Sequence, residues 1–422
     1  MGRRAVKLAA LGAGLTVNAV RPMPNSSPVA IPSFFAAWLT SELAPQNLIV
    51  TAAASKGLLL AKRGRLSRED KAVLGLNAVS AAGLAAMTVQ GMRVRGIVER
   101  ALAEALGSDY LAQLDPAPTK ADLTTPWRQV FTPWRTSHPD VKRTRNIVYT
   151  GNSAAGRREL LDVFQPQQPG RGRPVLLQIH GGGWVIGNKD EQGLPLMNHL
   201  AARGWVCVAP NYPLSPKATW PDHLIAIKRS IKWIRENIAD YGGDPSFIAV
   251  TGGSAGGHLA AMVALTPNDP QYQPGFADVD TSVRACVPFY GAYDLANVLD
   301  TKTGEREYQH FLSKTLFKTR DRDVARAASP LTLARPDAPP FFVIHGANDS
   351  LVNVAEAREL VRRLRERSNS VVAYAELPGA QHAFDVFASI RSAHVIRAAE
   401  RFLRVVQWEI NRTSMLAEVP IG

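Results

Sequence analysis

From about residue 140 to residue 408 the chain alternates short apolar runs with longer segments of helical period, and this alternation constrains the fold more than any other feature. The runs are NIVYT (146–150), ELLDVFQP (159–166), VLLQIH (175–180), WVCVAPNY (205–212), FIAVTG (247–252), ACVPFYG (285–291), PFFVIHG (340–346) and VVAYAELP (371–378). Between them, HLIAIKRSIKWIRENIADY and VAEARELVRRLRERS repeat apolar residues at the spacing of one helix face. Strands that alternate with helices imply an α/β fold: an eight-stranded, mostly parallel sheet with helices on both faces. A chain of 422 residues has room for one such domain of about 280 residues and a second part.

In an open α/β sheet, functional groups collect where loops leave the carboxyl ends of strands. TGGSAGG, residues 251–257, follows the fifth run and precedes the helical HLAAMVAL. Its G-x-S-x-G spacing places Ser254 on a strained strand-to-helix corner with the hydroxyl outward. A serine hydroxyl needs an imidazole to take its proton, and the imidazole needs a carboxylate to hold its tautomer. Asp349, after the seventh run, and His382, after the eighth, supply them in the order Ser, Asp, His. HGGGW (180–184) follows the third run, and its glycines let backbone amides approach a substrate oxygen with no Cβ in the way. Gly181, Gly182 and Gly183, with Ala255 after the nucleophile, are the expected oxyanion hole. His180 is expected to brace this loop. Trp184 is expected to line the pocket or simply pack.

HGGGW, GGDPSFIAVTGGSAGGHLA, HGANDSLV and GAQHAF, with their spacing, resemble the hormone-sensitive-lipase-like branch of the α/β-hydrolases over about residues 140–408. The resemblance implies an α/β-hydrolase fold, a Ser254/Asp349/His382 triad and cofactor-free hydrolysis of short- to medium-chain acyl esters. Gly253 departs from the Asp that family members often carry, and YPLSPK departs from the usual Y-R-L-A-P-E, a stretch that the resemblance implies helps build the pocket wall, with Tyr212 expected to support the motif and the pocket. An amidase or arylformamidase could use the same triad. A non-catalytic ligand-binding protein on this scaffold would be expected to have lost a triad residue, and all three are present.

Four further residues draw bland readings: His258 as a packed or solvent-touching helix residue, His345 as a core histidine, His394 as a helix-surface residue and Asp385 as a weaker rival to Asp349. GNSAAG (151–156) reads as a turn. Cys207 and Cys286 lie in apolar runs and read as buried thiols. No Cys/His cluster suggests a metal.

The net charge of +13 is uneven: residues 1–100 hold thirteen Lys/Arg against four Asp/Glu. The basic residues punctuate apolar segments instead of interleaving with aromatics along a stripe, which favours a membrane surface over nucleic acid. MGRRAVK followed by LAALGAGLTVNAV has the basic head and apolar stretch of a signal-peptide core, or of a plain amino-terminal helix. Residues 72–92 are uncharged and long enough to cross a bilayer. With residues 34–61 they would form a hairpin around a basic loop that belongs in the cytoplasm, leaving the hydrolase outside. The alternative is a water-soluble hairpin packed on the hydrolase as a cap or lid. VERALAEALGSDYLAQL (98–114) reads as a separate amphipathic helix. The expected division is 1–125 helical, with membrane contact through residues 1–106; 126–140 linker; 141–410 catalytic; and 411–422 tail. The expected location is a membrane or the cell envelope, with the cytoplasm as the alternative.

Overall fold

A computed structural model describes residues 2–23, 29–150 and 156–417. All eight expected strands form one sheet in the order β1-β2-β4-β3-β5-β6-β7-β8. They are β1 (Val141–Val148), β2 (Leu160–Pro166), β3 (Arg173–Ile179), β4 (Val206–Pro210), β5 (Gly243–Gly253), β6 (Ala285–Phe289), β7 (Phe341–Gly346) and β8 (Val372–Leu377). β2 runs antiparallel to β1 and β4, and every other neighbour is parallel. β1 starts five residues before its apolar run because it is an edge strand with a partly wet face, where polar residues such as Lys142 and Arg145 fit. The turn expected from GNSAAG lies outside the described residues, apart from Gly156.

The strand order places the chemistry. β4 lies on one side of β3 and β5 on the other, so the loops leaving β3 and β5 diverge above adjacent strand ends and open a crevice. HGGG leaves β3 and Ser254 leaves β5 at this point. One sheet face is covered by helices contributing Ile227, Ile231, Leu259, Val263 and Leu360, all fully buried.

The other face holds the main departure from expectation. Residues 72–92 and 98–106 form a single helix. The amino-terminal helices are α1 (Gly2–Val20), α2 (Ala30–Glu42), α3 (Ala44–Lys62) and α4 (Arg68–Leu106), and α4 is 39 residues long. A reciprocal Ser67–Asp70 capping box starts α4. Val94, Val98 and Leu102 near its end pack into the same core as Phe342, Ile344 and Phe402, so the sheet itself stabilises the continuation. α1 lays its small residues Ala9, Ala13 and Thr16 on α4, where a Cβ at Gly83 would run into the Thr16 methyl. Asn77 Nδ2 donates to Ser55 Oγ at 3.0 Å between α4 and α3.

Packing therefore continues across residue 125. The segment expected as a linker is docked as well: Gln46 donates to Val130 O at 2.6 Å, and Ala388 N–H donates to Pro133 O at 3.0 Å. Of the expected tail at 411–422, residues 411–417 lie within the last helix, Ile390–Ala417, and 418–422 lie outside the described residues.

Candidate active site

Ser254 occupies φ 58°, ψ −125°, a conformation a non-glycine residue adopts only when its surroundings enforce it. Its N–H donates to Phe289 O at 3.0 Å, and its carbonyl accepts His258 N–H at 2.9 Å. The corner needs glycines because the helix Ala255–Leu265 starts almost against β3: a Cβ at Gly256 would strike the Ile179 carbonyl. Ala255 opens that helix, so its amide is one of the first-turn donors without an intrahelical acceptor.

His382 Nδ1 lies 2.6 Å from Asp349 Oδ2. The other carboxylate oxygen accepts Leu351 and Val352 N–H at 2.9 Å each. Burial works against ionisation of Asp349, but the His382 and His345 imidazoles and their hydrogen bonds outweigh it and hold the carboxyl well below the usual range. His345, expected as a bystander in the core, is in fact a second partner of this carboxylate, with Nε2 3.2 Å from Oδ2. Strand-end spacing gives no signal of this contact, since His345 lies at the end of β7 and Asp349 in the loop that follows. Asp385 takes a hydrogen bond from the Tyr290 hydroxyl, and burial pushes it up to about 6.

In the glycine loop, Gly182 and Gly183 have φ of 113° and 58°. His180 Nδ1 donates to Gly181 O at 2.8 Å, so it braces the loop; burial holds its pKa near 4 and keeps it neutral. The expectation for Gly181 is corrected: its N–H donates to Gln192 Oε1 at 2.7 Å and is already committed. Nothing in the motif marked Gln192. Tyr212, expected as support for the motif and the pocket, is fully buried, stacks on His180 with ring centroids 4.3 Å apart and donates to His180 O at 2.9 Å. It supports the loop from behind. Trp184 is buried edge-on to His258, with ring centroids 5.1 Å apart. His258 is wholly buried and bonded to Ala328 O at 2.8 Å. His394, expected on a surface, is buried with Nε2 3.0 Å from Thr125 Oγ1. Both cysteines are buried and unpaired.

The amino-terminal helices reach the same place. Phe34 of α2 meets the His382 ring edge-on at 6.0 Å, and Trp38 Nε1 donates to Ala383 O at 2.8 Å. Asn348, beside Asp349, donates to Val20 O at the end of α1 at 3.0 Å. Among the described residues no group of three or more His, Cys, Asp or Glu side chains could hold a metal ion.

The sheet order, the serine corner and the β3 glycine loop together define an α/β-hydrolase. Residues 161–364 match the BD-FAE family model. The chain is 41% identical over 415 residues to "Probable carboxylic ester hydrolase LipM" of Mycobacterium tuberculosis, covering 95% of this chain and 93% of that one. It is 46% identical over 267 residues to "Esterase LipQ" of the same organism, covering 63% and 62%. Esterase B from Lactobacillus rhamnosis, in an inhibited crystal form, superposes with a TM-score of 0.55 at 19% identity over 66% of this chain and 91% of that one. The chain belongs to the hormone-sensitive-lipase-like carboxylesterase family, with the mycobacterial LipM and LipQ as relatives.

Proposed function

We propose that the protein hydrolyses carboxylic esters, short- to medium-chain ones among them, through an acyl-enzyme on Ser254, with His382 as base and Asp349 as the carboxylate that orients it. The observation that carries this reading is the 2.6 Å contact between His382 Nδ1 and a buried Asp349. With the Nδ1 proton held there, the Nε2 lone pair is left to take the serine proton. The attacked carbonyl oxygen becomes an anion, which the N–H groups of Gly182, Gly183 and Ala255 receive; each such donor is worth about 3 kcal/mol of barrier. His382 then protonates the departing alcohol, and water repeats the sequence on the acyl-enzyme.

Hydrolysis of a p-nitrophenyl ester series by the full chain, beside Ser254→Ala, tests this. Turnover that collapses in the variant is expected, and the optimum chain length separates esterase from lipase behaviour. A folded parent that cleaves anilides and no ester would move the reading to an amidase.

We further infer that the amino-terminal helices rest on a membrane surface and that the enzyme works at the cell envelope. Nineteen of the twenty-four large apolar side chains left exposed among the described residues precede residue 135. Ile31, Phe35 and Leu39 form an outward stripe on α2, whose inward Phe34 touches His382. α4 is also the one helix among the described residues long and apolar enough to cross a bilayer. The surplus of basic residues in this region suits anionic lipid. Co-sedimentation with anionic vesicles is expected for the parent and lost in Ile31→Asp/Phe35→Asp, while turnover of a water-soluble acetyl ester persists. Equal binding by parent and variant would remove α2 from the reading.

A further inference from the structure

Tyr290 follows β6 and belongs to none of the motifs read from the sequence, yet it sits between the nucleophile corner and the imidazole. Its neighbour Phe289 supplies the carbonyl that holds Ser254 N–H at 3.0 Å. Its own N–H donates to Ile344 O at 2.8 Å, and its backbone is left-handed at φ 36°, unusual for a bulky residue. The ring is fully buried, with its centroid 4.6 Å from that of His382 and 5.2 Å from that of Phe384. The hydroxyl donates to Asp385 Oδ1. On the other side, a Cβ at Gly253 would come within 2.7 Å of the Tyr290 hydroxyl oxygen and 2.8 Å of its ring. The glycine at the position before the nucleophile is therefore what admits this ring.

We propose that Tyr290, anchored through its hydroxyl by Asp385, is a positioning residue that fixes the imidazole of His382 beside Ser254. The inference rests on the triad reading. Asp349 holds one edge of the imidazole through Nδ1, and a single hydrogen bond leaves the ring free to swing about that contact. A ring packed on the imidazole, itself pinned at its far end, removes this freedom. His382 and Asp385 lie three residues apart on one loop, so the Tyr290–Asp385 bond ties β6 to the segment that carries the base. Asp385 is thus the anchor of the packing partner, and Asp349 orients the base directly.

The test compares Tyr290→Phe, Asp385→Ala, the double variant and Asp385→Asn, using a p-nitrophenyl ester and the rate of inactivation by an organophosphonate, which reports how well the serine is activated. Tyr290→Phe is expected to lower kcat and the inactivation rate together, about tenfold, with KM unchanged. Asp385→Ala should do the same, and the double variant should be no slower than the slower single variant, because both break one bond. Asp385→Asn keeps an acceptor for the hydroxyl and should restore most of the rate. Parent-like kcat in Tyr290→Phe, losses that multiply in the double variant, or no rescue by Asp385→Asn would each overturn the proposal. Ser254→Ala separates the two levels: full activity there would remove the triad reading and this inference with it. A dead Ser254→Ala beside an unaffected Tyr290→Phe would remove only the inference.

Discussion

Replacing Glu42 by alanine tests whether the amino-terminal region is a working part of the catalytic body. Glu42 ends α2 and is 2% exposed, and its partner Arg391 is 2% exposed as well. Glu42 Oε1 meets Arg391 Nη1 at 2.8 Å, and Oε2 accepts from Ser389 Oγ at 2.7 Å. Among the described residues the Nε and Nη2 groups of Arg391 have no partner of their own, so Glu42 carries nearly all of the compensation for a buried charge. Truncating Glu42 leaves that guanidinium stranded, which costs about 3–5 kcal/mol, whereas exchanging a whole buried pair for apolar groups of like volume is close to neutral. Glu42→Ala should therefore lower stability by about that amount in urea unfolding, and Glu42→Ala/Arg391→Met should recover most of it. Because α2 also carries Phe34 and Trp38 to the His382 loop, ester turnover should fall in the single variant and return in the double. A loss below about 1 kcal/mol in the single variant, or no recovery in the double, would refute the argument that this buried pair locks α2 down.

Three further outcomes are expected. Asp349→Asn places an amide against His382 Nδ1 and favours the wrong tautomer, so kcat should fall about 10³–10⁴-fold in a protein of parental thermal stability. Gln192→Leu strands the Gly181 N–H at a cost of about 1–3 kcal/mol and loosens the oxyanion loop, lowering kcat. Desolvation and the neighbouring Glu307 carboxylate push Glu356 up to about 8 from an ordinary 4.5. A proton held more tightly in the folded state adds stability that is whole below about 4.5 and lost as the pH rises to about 8. Between pH 5 and 8.5 urea stability should therefore fall less steeply in Glu356→Gln, whose amide oxygen can still accept the Tyr293 and Asp294 N–H groups that Glu356 holds at 2.7 and 3.0 Å.

The sheet and the placement of Ser254, Asp349, His382 and the glycine loop were legible in the chain because each depends on local order. A buried parallel strand must be apolar throughout, and a nucleophile corner needs glycines where the following helix crowds the strand. Carboxyl-end loops then collect the chemistry whatever the details of packing. The partners of those groups were not legible, because they come from contacts between segments far apart in sequence. Gln192 engages Gly181 from a loop with no motif. Tyr290 and Asp385 are 95 residues apart, and Glu42 and Arg391 are 349 apart. The long apolar helix shows the same division. By sequence alone it reads over residues 72–92 either as a membrane span or as an arm of a soluble hairpin packed on the hydrolase, with residues 98–114 as a separate amphipathic helix. Only the tertiary structure decided that it is continuous and that its second half belongs to the hydrolase core, because the apolar surface that buries Val94, Val98 and Leu102 is built by strands more than two hundred residues further along the chain.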